Sequence, residues 1–416
     1  MKLIPDIVAG LKEYTQWRRD VHAHPELAFE ESRTANFVAS QLASYGIKVT
    51  AGVGKTGVVG TLKVGSSDKV IGLRADMDAL PMDELNTFAH KSKHPGCMHS
   101  CGHDGHTVML LAAARYLAAS KNFDGAVQFI FQPAEEANGM GSGAQAMIED
   151  GLFDRFPVDN IFAMHNSPGF IAGAIATRPG VMTASMDLFE VTVQGVGGHG
   201  AYPHEGNDPL IVAAQLLLAW QTITSRNVSA EESAVVSATS VVTTDSWTVI
   251  PETVVIKGSV RTRSPEVREF IEQRFCQLTE HTVKAFGAKV TIDYRTTYPC
   301  TVNDAKQTDF ACQVAETIFG QERVLWNREL EGMGSEDFSY MLQQRPGCYL
   351  AIGSAAPPSG KDPSKDKNIQ DLADRKYFDI KDACMLHQPD YDFNDEIIPH
   401  GATLFARLAE HYLSTP

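Results

Sequence analysis

The densest group of potential metal donors in this 416-residue chain is Cys97-Met-His99-Ser-Cys101-Gly-His103-Asp104-Gly-His106. Thiolate, imidazole and carboxylate all bind divalent transition metals. Cys97 and Cys101 lack the Cys-x-x-Cys spacing of a compact, four-ligand structural zinc site. Three apolar, β-branched runs deliver further polar residues at their ends. Val70–Arg74 leads into Asp76-Met-Asp78, Ala126–Gln132 into Pro133-Ala-Glu135-Glu136, and Asn160–Met164 into His165-Asn166. Taken singly, His165 reads as a hydrogen-bonded structural histidine and the Glu-Glu pair as solvated surface. Their coincidence at successive strand ends points instead to a functional metal site. The metalloprotease pattern His-Glu-x-x-His is absent, as is the deaminase pattern His-x-Glu with Pro-Cys-x-x-Cys. Two metals sharing Cys, His and carboxylate ligands from several loops fit better. Adjacent Glu135 and Glu136 then divide the work, one binding metal and one facing the water.

Strands alternating with helical patterns (Gly105–Ala119, Gly141–Asp150) predict an α/β fold, a mostly parallel sheet sandwiched by helices. Ligands of such sheets bind beyond the carboxyl ends of the strands, where the polar residues above stand. From Met182 the rhythm changes to strand 187–194, helix 209–225, strands 234–242 and 253–261, helix 265–286 and strand 289–294. That order is the β-α-β-β-α-β of a ferredoxin-like unit. Helix–strand alternation resumes at 309–319, 348–353 and 395–412. The chain thus reads as one α/β domain, 1–182 and 296–416, interrupted by a small α+β insert at 183–295. The Pro-, Ser- and Lys-rich stretch 356–367 reads as a surface loop.

Composition narrows the class. With 43% hydrophobic and 21% charged residues the chain has the makings of a packed core, which excludes disorder. A net charge of −15 and the lack of a basic stripe exclude nucleic acid as a partner. No apolar run approaches the ~20 residues of a membrane span. Pro5 and Asp6 interrupt any signal-peptide core, so the start reads as an amphipathic helix and a cytoplasmic location is expected. The seven cysteines are odd in number and scattered, unlike a disulfide framework.

The motifs Arg74-Ala-Asp-Met-Asp-Ala-Leu-Pro81, Met98-His-Ser-Cys-Gly-His-Asp-Gly-His106, Gln132-Pro-Ala-Glu-Glu136, His199-Gly-Ala-Tyr-Pro-His204 and Leu386-His-Gln-Pro-Asp-Tyr-Asp-Phe-Asn394, as a set and in this order, resemble the bimetal aminoacylase/carboxypeptidase superfamily. The similarity is to the branch of hippurate hydrolases, N-acyl-amino-acid amidohydrolases and plant auxin-conjugate hydrolases. It runs from Arg18-Arg-Asp-Val-His22 and His24-Pro-Glu-Leu27 to the C-terminal helix.

The resemblance implies two divalent cations per subunit, held by Cys101, His103, Glu136, His165 and His387, with Glu135 as general base. His387 is a ligand that spacing alone does not reveal. Thiolate and imidazole suit zinc, while carboxylates also admit manganese, cobalt or nickel. Asp76, Asp78, Asp104 and His106 fit the role of orienting the ligands and raising their basicity. The insert corresponds to a lid that mediates dimerisation in relatives, so a homodimer is expected. In it, His199 helps to polarise the substrate carbonyl, often from the partner subunit, and Arg261 grips the substrate carboxylate. Thr248 replaces the usual Asn of the segment Thr248-Val-Ile-Pro251, and Gln388 replaces an Asn after the last ligand. The first change bears on contacts to the substrate carboxylate.

The implied reaction is hydrolysis of the amide of a small N-acyl-L-amino acid by metal-activated water. A carboxypeptidase or dipeptidase would use the same site with a different acyl-side pocket. A non-catalytic metal- or ligand-binding protein on the same scaffold would have no use for Glu135. A structural zinc protein would hold one metal and unfold on chelation.

Overall fold

The computed structural model describes residues 1–137, 141–326, 332–355 and 384–414. It separates into two compact units. The stretch 356–367 expected as a loop lies outside the described residues.

The first unit comprises 1–182 together with the later parts of the chain, 302–326, 340–355 and 384–414. Its eight-stranded sheet has the spatial order Lys48–Val53, Gly57–Val64, Gly125–Gln132, Val70–Asp76, Asn160–Ile171, Gly347–Ala355, Ile175–Thr177, Val324–Trp326. The four strands from Gly125–Gln132 to Gly347–Ala355 are mutually parallel. Every residue of Gly125–Gln132 and Gly347–Ala355 is buried, the pattern of strands covered on both faces. The first two strands form an antiparallel hairpin that joins Gly125–Gln132 antiparallel as well. Helices His103–Ser120 and Ile398–Leu413 bury most of their length. They pack in one cluster with Leu73, Phe129, Phe131, Phe162 and Leu350. Each such side chain contributes roughly 1.5–3 kcal/mol on leaving water.

The second unit comprises Thr183–Thr301 with 332–339. Its antiparallel sheet has the order Ala234–Val242, Thr253–Thr262, Ser185–Gln194, Lys289–Thr296. With helices Pro209–Thr222 and Pro265–Ala285 this gives the expected ferredoxin-like unit. Both helices start at Pro behind a capping side chain: Asp208 accepts the N–H of Leu210, and Ser264 that of Val267. Trp220 stacks on Phe275 at 4.7 Å between ring centroids, and its indole N–H donates to Thr279 Oγ1 at 2.8 Å. The unit ends at Thr301 rather than 295 because the returning segment is tied to it. Ala184 N–H donates to the Gly334 carbonyl at 2.8 Å, and Thr301 Oγ1 to that of Glu336 at 3.5 Å. All seven cysteines are free thiols. Among the described residues, no helix is long and apolar enough to cross a membrane.

Candidate metal centre

Cys101 and His103 flank Gly102, which caps the N-terminus of helix His103–Ser120 at φ +93°. A Cβ there would lie 2.3 Å from Asn166 Oδ1. Only glycine combines this left-handed backbone with so close a neighbour, and the sharp turn lets both flanking side chains reach one site. Glu135 and Glu136 follow strand Gly125–Gln132, and His165 lies within strand Asn160–Ile171. His387 arrives from the far end of the sequence at φ +63°. Its N–H donates to the Ser100 carbonyl at 2.8 Å, and Ser100 Oγ donates to the Gln388 carbonyl at 2.6 Å. Those two bonds pin the His387 segment to the Cys101 loop.

The donors converge. Cys101 Sγ is 3.3 Å from His165 Nε2, and His387 Nε2 is 2.9 Å from Glu136 Oε1. Three triads, Cys101–His103–His165, Cys101–Glu136–His387 and His103–Glu135–Glu136, each hold their ligand atoms within 4.8 Å of one another. Cys101, His103 and Glu136 each belong to two of them, so the triads join into one cluster.

Neighbouring acceptors set the imidazoles. His103 Nδ1 lies 3.1 Å from Asp78 Oδ1, so it carries the proton; among the described residues its buried Nε2 has no hydrogen-bond partner, the nearest carboxylate oxygen being Asp76 Oδ2 at 3.9 Å. His165 Nδ1 lies 2.7 Å from the Asn166 carbonyl, an acceptor only, which leaves its Nε2 lone pair toward Cys101. An unpartnered buried nitrogen costs about 1–3 kcal/mol, a cost that a cation among these donors removes. The donor set therefore fits divalent metal.

The electrostatics agree. Burial, then Glu136 and Glu135, hold the Cys101 thiol well above its usual range. Burial and His106 depress His165. For His103, burial pulls down, but Asp76 and Asp78 outweigh it and raise the imidazole to about 10. Burial pushes Glu136 up, yet the hydrogen bond from His387 leaves it below the usual carboxylate range. A cation placed among these groups favours thiolate and neutral imidazole, the ligating forms.

Asp78 also accepts the Glu136 N–H at 2.7 Å. Asp76 accepts from Arg74 Nη1 at 2.7 Å and lies 2.6 Å from His106 Nδ1. His106 Nε2 is 2.6 Å from Asn166 Oδ1, and Asn166 Nδ2 donates to Tyr391 OH at 2.6 Å. Asp104 departs from its expected place beside the ligands. Its carboxylate lies 2.8 Å from His22 Nδ1 and 3.5 Å from Arg18 Nη1, and buried Arg18 also pairs with the partly exposed Asp392 and Asp395. Arg18 and His22 gain this role only in three dimensions, because nothing in the spacing of helix Leu11–Ala23 marks it.

Three of the expected site residues stand on the second unit. His199 is exposed on a two-residue strand paired with Val249–Ile250. Ala201 N–H donates to its Nδ1 at 3.0 Å, so the neutral ring carries its proton on Nε2. Thr248 is exposed on the same ribbon, and its carbonyl accepts the Gly200 N–H at 2.8 Å. Arg261 is half-buried and donates to the Met333 carbonyl at 3.0 Å and Ser335 Oγ at 3.4 Å. Among the described residues it pairs with no carboxylate, and burial alone lowers its pKa.

The chain matches known proteins along its length. Residues 72–377 fit the model of peptidase family M20/M25/M40. A hippurate hydrolase of Campylobacter jejuni is 40% identical over 99% of this chain and all of its own. An N-acetyl-L-cysteine deacetylase of Bacillus subtilis is 38% identical over 81% of this chain and 79% of its own. A crystal structure from Bacillus subtilis, described as a dinuclear metal binding peptidase from the M20 family, superposes with a TM-score of 0.76. It is 29% identical and covers 98% of this chain and 99% of its own.

Proposed function

This chain belongs to peptidase family M20/M25/M40, and from that premise we propose that it hydrolyses N-acyl-L-amino acids to a carboxylic acid and a free amino acid. The observation that carries the reading is the convergence of sulfur, nitrogen and oxygen donors on His103, whose buried Nε2 has no hydrogen-bond partner among the described residues.

Cys101, His103, Glu136, His165 and His387 would hold two divalent cations. Bound there, the cations supply a water of pKa near ~7 and polarise the scissile carbonyl. Glu135, buried beside Glu136, takes the proton that water gives up as it attacks the carbonyl carbon. The same carboxyl returns the proton to the amide nitrogen as the C–N bond breaks. His199 donates from Nε2 to the carbonyl oxygen, where negative charge develops. Arg261, which among the described residues has no carboxylate partner, pairs with that of the amino acid. Thr248, on the ribbon of His199, adds a hydroxyl toward the same substrate.

The second unit would also join two copies. Its edge strand ends in exposed Val241 and Val242, and helix Pro209–Thr222 exposes Ile211 and Leu218. A second copy would cover these side chains.

The test is a substrate panel. Benzoyl-glycine, N-acetyl-amino acids and dipeptides are offered to protein reconstituted with Zn, Mn, Co or Ni, with a chelator control. Release of amino acid from acyl conjugates, abolished by chelator, is expected. Turnover of dipeptides alone would overturn the acyl assignment, and chelator-resistant turnover would overturn the metal chemistry.

A further inference from the structure

Glu135 follows a residue in an unusual conformation. Strand Gly125–Gln132 ends, and the chain turns at Ala134, which has φ +52° despite its Cβ. A left-handed non-glycine residue is strained and persists only where its surroundings enforce it. Here they do. Ala134 N–H donates to Glu31 Oε1 at 2.8 Å, and its carbonyl accepts Gly143 N–H at 3.0 Å. A Cβ on Gly143 would lie 1.6 Å from the Pro133 carbonyl oxygen, so the turn is also packed against the next helix.

Glu31 is fully buried and bonds to two further turns with left-handed residues. Its Oε1 also accepts the N–H of Phe29 (φ +65°) at 2.9 Å, and its Oε2 accepts Thr56 Oγ1, next to Lys55 (φ +81°). The N–H groups on either side of Glu135 are thus both held by buried carboxylates, that of Ala134 by Glu31 and that of Glu136 by Asp78. The Gly143 bond to the Ala134 carbonyl fixes the peptide plane before Glu135, and the Asp78 bond to the Glu136 N–H fixes the plane after it. Glu31 fixes the plane before Ala134 and with it the φ of the turn, and together these set the direction in which the Glu135 side chain leaves the backbone.

We infer that Glu31 is a positioning residue for the general base: through the Ala134 N–H it holds the strained turn that aims Glu135. The inference rests on the reading of Glu135 given above. Glu31 lies 104 positions away in sequence, and among the described residues it makes no hydrogen bond or ion pair with any of the five metal donors. Its effect should therefore appear in turnover while the metal content stays put. Burial and nearby Asp78 push the Glu31 carboxyl up to about 7, so a neutral amide is tolerated at this place and keeps the acceptor.

The experiment compares Glu31→Ala, Glu31→Gln and Thr56→Val by steady-state kinetics on an N-acyl amino acid, metal stoichiometry and hydrogen exchange of the peptide spanning 131–137. Glu31→Ala should lower kcat roughly 100-fold with KM within threefold, since a misplacement of about 1 Å costs that much. Its 131–137 amides should exchange at least tenfold faster at two metals per chain. Glu31→Gln should restore exchange protection and most of kcat, and Thr56→Val should shift both several-fold in the direction of Glu31→Ala. Wild-type kcat and exchange in Glu31→Ala would overturn the inference, as would a kcat loss that excess metal repairs. Should Glu31→Ala not fold, unchanged exchange and kcat in Thr56→Val would overturn it instead. If Glu135→Gln keeps full activity, the base assignment fails, while accelerated exchange in Glu31→Ala still shows what Glu31 holds.

Discussion

Replacing Gly102 by alanine tests whether the turn between Cys101 and His103 sets metal affinity. The residue sits at φ +93°, where an L side chain costs about 1–2 kcal/mol. The new Cβ would also meet Asn166 Oδ1 at 2.3 Å and Cγ at 2.9 Å. Asn166 cannot swing aside freely, because its amide is held at 2.6 Å by both His106 and Tyr391. Overpacking of this kind costs about 1–3 kcal/mol. Together the penalties come to roughly 2–5 kcal/mol. A metal-free loop can relax to escape them, whereas a loop with both ligands on a cation cannot, so the cost falls on binding. At 1.4 kcal/mol per decade this is roughly a 30- to 4,000-fold loss of affinity. Competition with a chromophoric chelator reads it directly. Gly96→Ala is the control, since Gly96 has φ +76° but nothing within 4 Å of a new Cβ. It should lower Tm and leave the competition curve where it was. Wild-type affinity for two cations in Gly102→Ala would refute the reasoning.

Three other outcomes are expected. Glu135→Gln should keep its metal by elemental analysis and lose turnover by about 10²–10⁴-fold, the range for a general acid–base; near-wild-type rates would remove Glu135 from that role. His22 is raised from 6.5 to about 9, because the hydrogen bonds to Asp104 and Glu84 outweigh the burial that pulls it down. Its protonation therefore contributes about 3 kcal/mol of stability below pH 6.5, lost as pH rises through 9. Urea melts of metal-free wild type and His22→Gln should converge toward alkaline pH, and parallel curves would contradict this. If His199 acts across a dimer, mixing His199→Ala with Glu135→Gln subunits should restore part of the activity; a mixture as inactive as its components would place His199 within its own chain.

The parts of the fold and site that sequence reveals are those where local pattern and final environment coincide. Strands 70–76, 125–132 and 347–355 are buried on both faces and so appear as mostly apolar runs, with polar residues such as Gln128 few among them. Cys101 and His103 stand in a cluster too dense to be incidental. The hairpin Lys48–Val53 with Gly57–Val64 is harder to see, because its outer strand is largely exposed and shows no clean alternation. His387 is invisible to spacing: its place depends on backbone bonds to Ser100 formed only in the folded chain. Asp104 shows the opposite failure. Its neighbours His103 and His106 suggest a place beside the metals, but the helical turn rotates it toward Arg18 and His22.

The first unit is built from both ends of the chain, and this has a consequence for synthesis. Strand Gly347–Ala355 must slide between Asn160–Ile171 and Ile175–Thr177, strands that leave the ribosome much earlier. His387 emerges later still. At roughly 5–20 residues per second, the nascent chain carries Cys101, His103, Glu136 and His165 for on the order of 10–45 s before the fifth donor follows. During that interval the half-built sheet has an open apolar edge and a thiol with no complete cage around it, so chaperone protection and delayed metallation are what this topology asks of the cell.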